Sequence, residues 1–96
     1  MQKTERFSST VLDGHKGLAF EIPFSPASRW GLSDTKLWPG RRGYHVRGTA
    51  NKARFESVVV SRARRFFVLV SDEMREACRL REGSRVKVSL APVERS

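Results

Sequence analysis

The stretch RGTANKARFESVVVSRARRFFVLV, Arg47 to Val70, decides the architecture. Phe55, Ser57 and Val59 alternate with Arg54, Glu56 and Val58, the period-2 signature of a half-buried strand. Asn51-Lys52 predicts a tight turn before it, because asparagine tolerates the left-handed region, although lysine is a poorer second residue than glycine. SRAR turns the chain again, and RFFVLV, Arg65 to Val70, is the most apolar run and predicts a central strand. The same stretch carries five arginines and a lysine. That charge is either a binding surface or the polar exterior that keeps a small sheet in solution.

Working upstream, Tyr44, Val46 and Gly48 alternate with His45, Arg47 and Thr49, which predicts a strand into the Asn51-Lys52 turn. Ser25 to Gly43 has no clean period and contains Pro26, Pro39 and three glycines. It predicts a long connection with a helical turn around Ala27 to Leu32. Further back, Arg6–Asp13 and LAFEI, Leu18 to Ile22, predict two strands joined by the Asp13–Gly17 turn, with Pro23 closing the second. Downstream, Met74, Ala77 and Cys78 recur at helical spacing. Ser71 or Asp72 is the expected cap, Asp72 and Glu73 suit the positive end, and Arg79 and Arg81 suit the other. Gly83 then turns the chain into Arg85–Leu90, with Val86, Val88 and Leu90 inward and Arg85, Lys87 and Ser89 outward.

About six strands and one short helix before the last strand make a mainly β domain. At 96 residues the chain suits a single domain, 1–96, with a thin core and short terminal tails. The economical way to cover the inner face at this length is to close the sheet on itself. We therefore expect a small closed or nearly closed β-barrel, with the Ser71–Leu80 helix plugging or flanking one end.

The order VRGTANKARFESVVV, then FFVLVSDEMREACRLREGSRVKVSL, resembles the DUF1905 family of small bacterial domains of unassigned function. Gly48, Thr49 and Asn51 match the family's hairpin; Arg75, Ala77 and Leu80 match its helix, and Gly83, Val86 and Val88 its terminal strand. LAFEIP, Leu18 to Pro23, is similar to the family's second strand, which carries an aromatic residue and closes on proline. The resemblance runs roughly from Phe7 to Leu90. It implies a small β-barrel and transfers almost no mechanism. Lys52 stands where the family's hairpin glycine is usual, Ser84 where an aspartate is, and SRARR where a looser turn is.

The formal charge is +9, with 19 basic and 10 acidic residues. Such an excess attracts polyanions at low salt. The candidate anion-binding residues are Arg41, Arg42, Arg47, Lys52, Arg54, Arg62, Arg64 and Arg65. Side-by-side hairpins would merge them into one band; Phe66 or Phe67, Tyr44 and Trp38 are the candidate base stackers. The competing account is a solvated face, with Glu21 and Glu56 pairing across strands. A second candidate is a groove at Trp30, Trp38 and Tyr44, with Phe24 and Leu37, suited to a small ligand or a protein partner.

Catalytic signals are weak. His15, His45 and Cys78 lack metal-ligand spacing, and no cofactor is implied. Cys78 lies on the apolar side of its helix. GLSDT, Gly31 to Thr35, has no nucleophile elbow, and GRRG, Gly40 to Gly43, lacks the phosphate-loop lysine and hydroxyl. An enzyme would need His45 to converge with Glu56 or Ser57. The single cysteine allows no intrachain disulfide, and no apolar run suits a signal peptide or a membrane span. A cytoplasmic monomer or homodimer, partnered by nucleic acid, another polyanion or a protein, is the expectation.

Overall fold

The structure is a computed structural model and describes residues 4–14 and 17–93. Its elements are β1 (Glu5–Asp13), β2 (Leu18–Ile22), α1 (Pro26–Trp30), β3 (Thr35–Trp38), β4 (Arg41–Ala50), β5 (Ala53–Arg62), β6 (Arg65–Val70), α2 (Asp72–Ala77) and β7 (Arg85–Pro92). Six antiparallel strands run β4-β5-β6-β2-β1-β7, and β7 pairs back onto β4 to close the barrel. β3 lies beside the start of β4, ahead of the stretch that β7 occupies.

The alternation read from the sequence places the core. Val11, Phe20, Ile22, Val46, Ala50, Phe55, Val59, Val68, Val86, Val88 and Leu90 meet inside the wall. Register aligns them: Val11 faces Phe20, Phe20 faces Val68, and Val68 faces Val59 around the barrel. Phe20 and Phe55 meet edge to face with centroids 6.4 Å apart. Each such buried side chain contributes roughly 1.5–3 kcal/mol.

Closure needs close backbone approach at one position. A Cβ on Gly48 would sit 1.7 Å from the carbonyl oxygen of Ser89. Gly48 pairs with Phe55 on one side and Leu90 on the other, so the missing side chain lets β4 bend between β5 and β7.

Helices stop the two ends. At one end, α1 buries Trp30, whose ring packs on Phe24 at 5.1 Å, and Phe24 packs on Phe7 at 6.0 Å. Ser25 caps α1 by accepting from Ser28 N, and Pro26 occupies the first turn, where its missing N–H costs nothing. At the other end, α2 and the segment after it bury Met74, Cys78 and Leu80. Ser71 Oγ accepts from Met74 N, and Asp72 and Glu73 stand at the positive end of the helix, as expected.

Three expectations need correction. α2 ends at Ala77, not near Leu80, because Arg79 takes a left-handed φ of 54°; Arg79 and Arg81 therefore lie beyond the helix. β4 starts at Arg41, earlier than Tyr44. The connection read as irregular contains β3, joined to β4 by a turn at Pro39-Gly40. Only Leu37 of β3 is even half-buried, so the strand has no apolar alternation to betray it.

Candidate anion-binding face

The two arginine-bearing hairpin turns lie at opposite ends of the barrel. β5 runs from the Asn51-Lys52 turn to the Ala63-Arg64 turn through ten residues, roughly 30 Å along the strand. The eight basic candidates therefore form two groups. Arg47, Lys52 and Arg54 belong to the α2 end; Arg41, Arg42, Arg62, Arg64 and Arg65 belong to the α1 end. One continuous band through all eight is not formed.

The second group is largely engaged within the chain. Arg41 donates to Ser61 O at 3.1 Å, and Arg62 donates to Gly14 O at 3.3 Å. Arg42 pairs with Asp34 at 3.1 Å and Arg65 with Glu21 at 3.8 Å, both in solvent. Such exposed pairs contribute little to stability, but they lower the net charge that a ligand meets. The Glu21 pairing is the cross-strand neutralisation that the solvated-face account expected.

The first group borders a different surface. Across the outer faces of β1, β7, β4 and β5, register puts Arg6 opposite Ser89, Ser89 opposite Thr49, and Thr49 opposite Arg54. This row spans three inter-strand steps, about 14 Å. The next row holds Ala91, Arg47 and Glu56. A shallow depression of about 660 Å³ lies here, lined by Thr4, Arg47, Thr49, Arg54, Glu56 and Ser89 among others. Its floor is low because Thr49, Ser89 and Ala91 are small, and its rim is cationic. Arg47 and Arg54 are exposed and make no ion pair among the described residues. Glu56, opposite Arg47, is the one carboxylate among the described residues of the lining. Lys87 lies one alternation along β7 from Ser89 on the same exposed face.

This face can accept hydrogen-bonding anions. Two guanidiniums supply fork-shaped donors, and Thr4, Thr49 and Ser89 supply hydroxyls. Arg6, Thr49, Ser89 and Lys87 were absent from the sequence-based candidates. The outward setting of Lys87 and Ser89 is readable from alternation, but their adjacency to Arg54 depends on β7 closing against β4. A second depression beside α2, lined by Asp13, Asp72, Arg75, Arg81 and Glu82, mixes both signs and selects neither.

The tryptophan groove is not formed. Trp30 is 2% exposed and belongs to the core, while Trp38 is 45% exposed on β3. Tyr44 is half-buried against the core. Of the candidate stackers, Phe67 is buried and Phe66 is packed on the core, so Trp38 alone presents a largely open ring.

His15 lies outside the described residues. His45 faces Val58 across the β4–β5 ladder, and the Ser57 hydroxyl donates to Leu69 O, so His45, Glu56 and Ser57 form no catalytic cluster. Among the described residues, no group of three or more His, Cys, Asp and Glu side chains could hold a metal ion. Cys78 is buried, its thiol directed at Ala53 O at 3.6 Å, and burial pushes its pKa up. A thiol held neutral this way is a packing group. No helix of the described residues is long and apolar enough to cross a membrane.

No curated protein matches this sequence. The family profile described as "Domain of unknown function (DUF1905)" matches residues 7–90. That span runs from the first barrel strand into the last and includes residues of every strand of the wall. On this match the chain belongs to the DUF1905 family.

Proposed function

We propose that this domain is a non-enzymatic binding module for polyanions, nucleic acid foremost, through the β1–β7–β4–β5 face. The observation that carries the reading is the row Arg6–Ser89–Thr49–Arg54, flanked by Arg47 and Lys87. Cations at both sides of a hydroxyl-bearing floor suit phosphates that repeat along a chain. The face has no open aromatic ring, so it favours backbone contact over base stacking. A cytoplasmic setting belongs to the same reading.

The test is fluorescence anisotropy with labelled single-stranded and double-stranded oligonucleotides, at low and at moderate salt. The Arg47→Ala/Arg54→Ala double variant should lose about tenfold or more in affinity, with a shallower salt dependence. The Arg62→Ala/Arg64→Ala/Arg65→Ala triple variant should lose less. The opposite order would move the site to the α1 end. No binding by the parent protein at low salt would end the proposal.

A second reading is favoured by β3. Among the described residues the strand pairs only with β4, and beside its other edge Trp38 exposes its indole and Lys36 its charge. An unpaired edge with an aromatic anchor accepts an extended segment of a protein partner, here an acidic one. Capture of acidic peptides that survives Arg47→Ala/Arg54→Ala but not Trp38→Ala would favour this reading.

A further inference from the structure

Positive backbone φ angles single out a set of cations. Outside glycine, the described residues with positive φ are Asn51 (50°), Lys52 (72°), Ala63 (53°), Arg64 (65°) and Arg79 (54°). Asparagine adopts this region readily, and alanine brings no chemistry. The remaining three are all basic. Lys52 and Arg64 are the second residues of the two-residue hairpin loops, and Arg79 follows the end of α2. Glycine is favoured at each such position, because a Cβ there crowds the backbone.

Two of these three cations are brought to one place. Asn51 Nδ2 donates to Cys78 O at 3.2 Å, which ties the Lys52 turn to the residue before Arg79. Asn51 also binds the backbone of Lys87. Lys52 and Arg79 are exposed and make no side-chain ion pair among the described residues; Glu76 and Glu82, nearest to Arg79 in sequence, do not pair with it. From this corner, Lys87 on β7 and Arg54 on β5 lead to the depression described above.

We infer that Lys52 and Arg79 form a second phosphate-contacting pair, which extends the anion-binding face around the α2 end of the barrel. The ligand is then a phosphodiester chain that crosses both places, not a single small anion. This rests on the polyanion reading of the face. It explains why Lys52 and Arg79 carry charge at strained positions: glycine would relieve the backbone there and remove the contact.

The experiment replaces the strained cations by glycine and reads stability and binding together. Lys52→Gly, Arg79→Gly and Arg64→Gly should each raise Tm by several degrees, as relief of left-handed strain would give in a domain this small. The Lys52→Gly/Arg79→Gly double variant should bind long oligodeoxythymidylate about tenfold more weakly. Its slope of log affinity against log salt should fall by about 1.4, two contacts at about 0.7 each. A short oligodeoxythymidylate that spans only the depression should bind the double variant and the parent alike. Arg64→Gly, at the far end, should leave affinity unchanged. If the double variant keeps its affinity while Arg47→Ala/Arg54→Ala loses it, the extension is wrong and the face survives. If the parent binds neither oligonucleotide at low salt, both fail. A fall in Tm on glycine substitution would show that the side chains stabilise the turns, and would also overturn the inference.

Discussion

Asn51 holds the backbone of Lys87 with both its main chain and its side chain: Asn51 N donates to Lys87 O at 3.0 Å, and Lys87 N donates to Asn51 Oδ1 at 3.4 Å. With the amide's bond to Cys78 O, one side chain joins the β4–β5 turn, β7 and the end of α2. Asn51→Gly keeps the left-handed backbone and loses the side-chain bonds, and should cost about 1–2 kcal/mol. Asn51→Ala adds the strain of a Cβ at positive φ and should cost about 2–4 kcal/mol. Urea unfolding of both variants separates the two contributions; equal losses would remove the conformational part of the account.

Gly48 marks where the barrel shuts. A methyl group there would lie 1.7 Å from Ser89 O and 3.1 Å from Leu90 Cα, both backbone atoms that cannot swing aside. Gly48→Ala should therefore cost more than about 3 kcal/mol, the range of severe overpacking. The urea midpoint of the soluble fraction, or the loss of soluble protein, reports it. A midpoint like the parent's would mean that β4 and β7 part easily.

Much of the wall was legible because a half-buried strand writes its two faces in alternation. Phe55 and Val59, Val86 and Val88 point inward as their spacing requires. The helix before the last strand announced itself through Ser71, Asp72 and Met74. β3 did not, because its residues face solvent on most sides. The candidate anion-binding face was legible only in pieces. Arg47 and Arg54 stand seven residues apart across a hairpin, but Arg6 and Ser89 join them through a chain closure that no local pattern encodes. The single band that side-by-side hairpins would make is not formed, because β5 separates their turns by its own length.

The two tryptophans, alike on paper, should respond oppositely to substitution. Trp30 fills the α1 end against Phe24, so Trp30→Ala should cost about 3–5 kcal/mol, a large share of the stability of a domain this size. Trp38 is 45% exposed, so Trp38→Ala should stay within about 0.5 kcal/mol. Acrylamide quenching distinguishes them without mutation. The chain has two tryptophans, so the fluorescence should divide into one accessible and one protected population. Uniform quenching would contradict the burial of Trp30.

Alkaline pH should loosen the fold in two steps. Burial pushes the Cys78 thiol up, and burial first, then the charge of Asp34, pushes the Tyr44 phenol up. For each group the folded state holds its proton to higher pH than the unfolded chain does. Its contribution to stability is thus complete below the unfolded pKa and is lost as pH rises through the folded one. The loss should begin above about pH 8.5 for the thiol and about pH 10 for the phenol, their unfolded values. Urea midpoints measured from pH 7 upward should fall along this course. Cys78→Ala should flatten the first part and Tyr44→Phe the second. Thiol reagents should label Cys78 at the rate of unfolding and no faster; rapid labelling at neutral pH, or a flat stability profile in the parent, would show that the Cys78 thiol is not sealed between α2 and β5.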